Sequence, residues 1–274
     1  MVTKLAKVTA AASRPLALVT GASSGIGEAL SHCFAKADHD VILVARSADK
    51  LKALADELKS RYGVVATVQA ADLSLPGAAA KLGAALKRKK LAPDVLVNCA
   101  GVLSQGEFTS LSAATHQQMI DLNISGLTSM ISEFLPGMVE QAGRILNVAS
   151  IAAFQPIPSL AIYAASKAFV LSLTESLAEE MRGTGVTVTA LCPGVTATAM
   201  LTSAARANGK VSDIPAFMVG DVNDVARQGF EACMRGDVIC VPGAMNRAIT
   251  LGSRATPKWL VRKIGGLIVR KALK

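Results

Sequence analysis

The chain has 274 residues, 51% of them hydrophobic, with five cysteines and a formal charge of +9. That length suits one large α/β sheet, while aromatics at 4% are too scarce for the stacking platforms that bind single-stranded nucleic acid, so no nucleic-acid partner is expected. No apolar run reaches the ~18 residues that a membrane span needs, and the cysteines at 33, 99, 192, 233 and 240 share no metal-ligand spacing with His32, His39 or His116, so no metal site is expected and the thiols read as small core residues of a reducing, cytoplasmic compartment.

Residues 1–14 carry Lys4, Lys7 and Arg14 and lack the continuous apolar core of a secretion signal, so they read as a loose tail before a domain over 15–274. Leu16-Ala-Leu-Val-Thr20 is a short buried strand, and it runs directly into Gly21-Ala22-Ser23-Ser24-Gly25-Ile26-Gly27 and a helical pattern. Glycines there let the backbone turn and approach a ligand, and the helix N-terminus beyond offers free N–H groups to a diphosphate. The spacing is G-x-x-x-G-x-G, and a lone glycine loop can also be only a turn.

The second strand, Asp40-Val-Ile-Leu-Val-Ala45, ends where a dinucleotide fold reads the adenosine ribose. An acidic residue there would hold the ribose hydroxyls of NAD. Arg46 follows instead, and a guanidinium can pair with a 2′-phosphate and stack on adenine, which favours NADP(H); otherwise Arg46 merely opens the loop before a helix over 50–60. A third apolar run, 64–70, leads to Asp72-Leu73, where Asp72 either accepts from the adenine amino group or is a turn residue. A helix over 76–90 ends in Lys87-Arg88-Lys89-Lys90, which can complement its dipole. The fourth strand, 94–98, ends in Asn98, and the small residues Cys99-Ala100-Gly101 after it suggest backbone close to a ligand. Four alternating βα units predict a doubly wound parallel sheet, the α/β Rossmann fold, in a single domain.

A long helix is predicted over 115–138, with Asn123 beside Gly126. Asparagine inside a helix is mildly unfavourable, so it has either a special role or a solvated face. The run Arg-Ile-Leu-Asn-Val-Ala then leads to Ser150, and Tyr163 and Lys167 follow four apart on one face of a helical pattern. A free tyrosine titrates near pH 10. A cation ~4 Å away at an effective dielectric of ~20 is worth roughly 4 kcal/mol, and ~1.4 kcal/mol moves a pKa by about one unit. The pair therefore predicts a phenol drawn down toward the range of a general acid, although such pairs arise by chance on many helices.

Thr20-Gly-Ala-Ser-Ser-Gly-Ile-Gly27, Asn98-Cys-Ala-Gly101, Asn123, Ser150, Tyr163-x-x-x-Lys167 and Pro193-Gly194 together resemble the short-chain dehydrogenase/reductase family over about residues 15–245. One departure is Cys99, where the family most often has another small residue or asparagine. The resemblance implies hydride transfer between nicotinamide and a carbonyl or alcohol, with Tyr163 exchanging the proton, Ser150 holding the substrate oxygen, Lys167 on the nicotinamide ribose, and Asn123 keeping a water in a proton relay. It also implies cofactor contacts from Gly21, Ser23, Ser24, Gly25, Ile26, Gly27, Arg46, Asp72, Leu73, Asn98, Ala100 and Gly101, and from Pro193, Gly194, Val195, Thr196 and Thr198 at the nicotinamide end, where Thr196 or Thr198 binds carboxamide or phosphate. Residues 195–220 resemble the family's substrate lid. Met200 and Phe217 there, with Phe154 and Leu160, favour an apolar or partly aromatic carbonyl substrate unless they pack the core.

The extension over 245–274 alternates basic residues with Trp259, Leu260, Val261, Ile264, Leu267, Ile268 and Val269. This amphipathic, cationic pattern suits a peripheral membrane surface or an acidic acyl carrier, or equally a cover over the protein's own core or a subunit boundary. The helices carrying Asn123 and Tyr163 are apolar on more than one face, and the family pairs them, so a homodimer or homotetramer is expected. The resulting expectation is an NADPH-dependent ketone or aldehyde reductase, with a 3-ketoacyl thioester reductase and a non-catalytic NADP(H) sensor as alternatives.

Overall fold

The computed structural model describes residues 14–196 and 219–255. Its strands are β1 (Leu16–Thr20), β2 (Asp40–Ala45), β3 (Ala66–Ala70), β4 (Val95–Asn98), β5 (Arg144–Val148), β6 (Thr187–Leu191) and β7 (Ile239–Cys240). The helices between them are α1 (Gly25–Lys36), α2 (Ala48–Tyr62), α3 (Ala78–Arg88), α4 (Ala113–Ile120), α5 (Leu127–Glu140), α6 (Ala161–Glu180) and α7 (Val222–Arg235), with α8 (Ala244–Ala255) after β7. All seven strands are parallel in the order β3-β2-β1-β4-β5-β6-β7. The order reverses between β1 and β4, so the loops leaving these two strands diverge and open a crevice at the carboxyl edge of the sheet.

Parallel strands covered on both faces read as continuous apolar runs, and β2 shows it: Val41, Ile42, Leu43 and Val44 are all fully buried. Side chains alternate across the sheet. Val41 and Leu43 join one apolar layer with Leu30 and Phe34 of α1, Leu51 and Leu58 of α2 and Val225 of α7. Ile42 and Val44 join the opposite layer with Leu82 of α3, Met130 and Phe134 of α5 and Val170 of α6. Each such buried Leu, Val or Phe contributes roughly 1.5–3 kcal/mol, so the sheet is held from both sides and its carboxyl edge becomes a rigid platform. Beneath that platform Asn98 Nδ2 donates to Asn147 Oδ1 at 2.9 Å and Asn147 Nδ2 to Thr174 Oγ1 at 3.0 Å, tying β4 and β5 to α6.

The structure departs from the sequence reading in two places here. The single helix expected over 115–138 is broken: α4 ends at Ile120, Asp121–Gly126 winds as a π-helical segment, and α5 begins at Leu127. A Cβ on Gly126 would lie 2.5 Å from the Leu73 carbonyl oxygen, so the chain passes too close to the β3–α3 loop for any larger residue. The wider turn also rotates Asn123 inward, to 1% exposure. Arg14, expected in the loose tail, is tied down: its Nε donates to Asp38 Oδ1 at 2.7 Å and its Nη1 to the Gly63 carbonyl at 3.0 Å. Among the described residues no helix is long and apolar enough to cross a membrane.

Candidate active site

A cavity of about 1200 Å³ lies along the carboxyl edge of the sheet. Its first wall is the loop after β1, from which Gly21, Ser23, Ser24, Gly25, Ile26 and Gly27 reach it. Gly21 has φ +67°, and a Cβ on it would stand 2.9 Å from both the Cα and the nitrogen of Ala100. A Cβ on Gly27 would collide with the Gly21 carbonyl oxygen. Backbone therefore packs on backbone, which leaves room above the loop for a ligand. The Ser24 side chain does not cap α1, so the first-turn N–H groups are left for an anion. This cradle fits the diphosphate of a dinucleotide.

Thr20 fixes the opposite side of the crevice. Its Oγ1 donates to the Val97 carbonyl at 3.1 Å and accepts from the amides of Cys99 and Ala100 at 2.9 and 3.0 Å. That hydroxyl lashes the loop after β4 to the end of β1 and holds Ala100 and Gly101 at the cavity wall. Asn98, an expected cofactor contact, is 3% exposed, and its Nδ2 donates to Asn147 Oδ1.

Arg46, Asp72 and Leu73 line the end of the cavity beyond β2 and β3. Asp72 Oδ1 also accepts from the amide and hydroxyl of Ser74 at 3.0 and 2.7 Å, the turn role held open above. Those hydrogen bonds, helped by the Arg46 charge, hold its carboxyl below the usual range. Lys50 joins Arg46 at this end and was not anticipated. It stands in the first turn of α2, four positions after Arg46, which precedes the helix.

At the other end α6 delivers Tyr163 and Lys167 one turn apart. The Lys167 Nζ lies 5.8 Å from the centre of the Tyr163 ring and donates to the Val148 carbonyl at 2.8 Å. Burial pushes the lysine down to about 8. Burial also pushes the Tyr163 phenol up, opposed by a hydrogen bond with Ser150. The expected lowering of the phenol by Lys167 is thus not what dominates: loss of water penalises the phenolate, and the lysine's hydrogen bond goes to Val148. Ser150 caps the short 3-10 turn Ile151–Phe154, its Oγ accepting from the Ala152 amide at 3.1 Å and facing the Pro193 carbonyl at 3.5 Å.

Asn123 stands behind this group rather than in the cavity. Its Nδ2 donates to the Val102 carbonyl at 2.9 Å and to Ser166 Oγ at 3.1 Å, and its Oδ1 accepts from the Val102 amide at 2.9 Å. Both side-chain N–H groups are therefore used in clamping the loop after Gly101 to α6. A Cβ on Gly101 would stand 3.2 Å from that Oδ1, a tight contact, and 3.5 Å from the Lys167 Nζ, an ordinary one, so the loop runs directly against both side chains.

Leu160 lines the cavity with Val102, Leu103 and Ile157, beside Gln105 and Gln155. Phe154 does not; it packs on the apolar layer of α5 and α6. Pro193, Gly194, Val195 and Thr196 close the site from β6, and the Gly220 amide donates to the Val195 carbonyl at 2.8 Å, joining the two ends of 197–218. Thr198, Met200 and Phe217 lie outside the described residues.

A family model for short chain dehydrogenase matches residues 15–209. Oxidoreductase UcpA of Salmonella typhimurium is 38% identical over 192 residues, 69% of this chain and 72% of that protein. A short-chain dehydrogenase from Sphingobium yanoikuyae in complex with NADPH superposes with a TM-score of 0.77 at 32% identity, over 87% of this chain and 92% of that one. A bulky-bulky ketone specific alcohol dehydrogenase from Comamonas testosteroni superposes at 0.74 with 28% identity, over 88% and 92%. With the glycine cradle, the strand order and the Ser150, Tyr163 and Lys167 cluster already in place, these matches make the chain an oxidoreductase that belongs to the short-chain dehydrogenase family.

Proposed function

We propose that the chain is an NADP(H)-dependent reductase of a ketone or aldehyde, running in reverse as an alcohol dehydrogenase. The observation that carries this is one cavity with Ser150, Tyr163 and Lys167 at one end and Arg46 with Lys50 at the other. Two cations at the end of β2 suit a 2′-phosphate, whereas an NAD site would place an acid there. The NADPH complex of the Sphingobium relative supports the same choice.

The nicotinamide supplies the hydride when bound. Tyr163 donates its phenolic proton to the substrate oxygen, and because burial holds the phenol above its ordinary value it keeps that proton at neutral pH. Ser150 orients the same oxygen from its position beside Tyr163. Lys167, its pKa lowered to about 8, gives up a proton more easily than an exposed lysine and restores Tyr163 between turnovers. Asn123 acts by holding the Val102 loop and α6 in register, and a relay water there would have to donate to Oδ1 or use main-chain groups.

An apolar substrate suits Val102, Leu103, Ile157 and Leu160, and Gln105 and Gln155 offer neutral polar partners. A thioester reductase and a cofactor sensor are weaker readings, since the cation pair lies at the cofactor end and the catalytic side chains are all present. A homodimer or homotetramer in the cytoplasm fits the family and the five free cysteines. Tyr163→Phe tests the assignment: turnover with NADPH over a carbonyl panel should fall about 10²–10⁴-fold while NADPH affinity, read by fluorescence titration, stays within a few-fold. Substantial residual turnover would remove Tyr163 from its role.

A further inference from the structure

Past Tyr163 the cavity is walled by two loops that hold each other. Leu160 stands at the N-terminus of α6, one turn before Tyr163, and Ser159 beside it takes φ +66°, a left-handed conformation uncommon outside glycine. The loop after β4 fastens it there, since the Gly106 amide donates to the Ser159 carbonyl at 2.9 Å. Glu107 follows directly. Its own carbonyl accepts from the Ser110 amide at 2.9 Å and the Ser110 hydroxyl at 2.8 Å, which pins Glu107 at the start of the 3-10 turn Phe108–Ser110.

Glu107 lines the cavity and is exposed, so it stands on the rim, while Val102, Leu103, Ile157 and Leu160 supply apolar wall between that rim and Tyr163. Across residues 101–110 and 155–160, which form these two loops, Glu107 is the one ionisable side chain. A carboxylate accepts hydrogen bonds and attracts positive charge. A molecule whose carbonyl lies at Tyr163 and whose body lies on the apolar wall therefore brings its far end to a fixed negative charge.

We propose that Glu107 selects carbonyl substrates carrying a protonated amine at the end remote from the carbonyl and repels those ending in a carboxylate. This rests on the reductase reading above and adds to it how the far end of the substrate is read. The selection acts at a wet rim, so it is modest. An exposed ion pair is worth up to about fivefold in affinity, and a carboxylate is repelled to a similar extent.

Three para-substituted acetophenones of nearly equal size, carrying aminomethyl, hydroxymethyl or carboxylate groups, serve as probes. Their affinities are measured by calorimetry at low salt on the Tyr163→Phe protein loaded with NADPH, which turns over too slowly to disturb the titration, and on the same protein with Glu107→Gln or Glu107→Lys added. Values of kcat/KM are measured in parallel with Tyr163 intact. The expected order of affinity is aminomethyl, hydroxymethyl, carboxylate, with the aminomethyl-to-carboxylate ratio about 5–25-fold higher than in the Glu107→Gln protein. Glu107→Lys should invert that order, and salt should compress it. Each comparison is a ratio within one protein, so a loss of folded material in a variant cancels. The same ratio in all three proteins, or no binding of any probe, overturns the proposal. The expected order of affinity without turnover in the parent would keep the Glu107 site and sink the reductase reading, whereas equal affinity and equal turnover of all three probes would keep the reductase and sink the site.

Discussion

Gly21→Ala separates two costs that the glycine cradle combines. Gly21 has φ +67° and Gly63 has φ +69°, so an alanine at either pays the same left-handed strain, about 1–2 kcal/mol. They differ in what the new methyl meets. Nothing lies within 4 Å of a Cβ at Gly63, whereas at Gly21 it would stand 2.9 Å from the backbone of Ala100. That backbone cannot swing aside as a side chain could, because Thr20 holds the Cys99 and Ala100 amides. Overpacking of this kind costs about 1–3 kcal/mol more. Gly63→Ala should therefore lose about 1–2 kcal/mol and Gly21→Ala about 2–5 kcal/mol, measured by urea unfolding at equal protein concentration. In calorimetric titration with NADPH, Gly63→Ala should bind like the parent and Gly21→Ala markedly more weakly, since Ala100 and Gly101 move with the loop. Equal stability losses in the two variants, with equal affinity, would refute the cradle.

Arg46→Asp should weaken NADPH about 10–150-fold while changing NADH far less, the range expected for losing a charge-assisted hydrogen bond worth about 1.5–3 kcal/mol; an unchanged preference would sink the 2′-phosphate assignment. Thr20→Val keeps the shape but leaves the Cys99 and Ala100 amides without their acceptor, at about 1–3 kcal/mol each, and amide exchange at those two positions should accelerate more than at Val97. Burial pushes the Cys233 thiol up from 9.0 to about 12. A raised native pKa adds stability that is complete below the unfolded value and fades as pH climbs from about 9 to about 12, so Cys233→Ala should flatten the alkaline loss of stability by up to about 1.4 kcal/mol per pH unit in that window.

Much of the site could be read from local sequence because its parts sit at strand ends. The runs before Thr20, Ala45, Asn98 and Ser150 announce buried parallel strands, and the residues after a strand in this fold face the crevice. Lys50 was not legible, because Arg46 precedes α2 and helical spacing does not relate the two. Phe154 was not either, because an aromatic residue four positions after Ser150 carries no sign of whether it points to the cavity or to α5 and α6.

By itself the sequence determined the order of elements, the parallel sheet, the glycine loop and the Ser150, Tyr163 and Lys167 set, since each is written in periodicity or contiguous spacing. Only the tertiary structure decided how those groups behave. The π turn that rotates Asn123 inward answers to the Leu73 carbonyl against Gly126, some fifty residues away in sequence. Burial, which raises the Tyr163 phenol and lowers Lys167, is the sum of everything packed around them. The same holds for α8, where Asn246 packs against Gly194 while Met245 and Ile249 are exposed. Spacing along a chain fixes which residues share a face, but desolvation and facing direction come from neighbours distant in sequence.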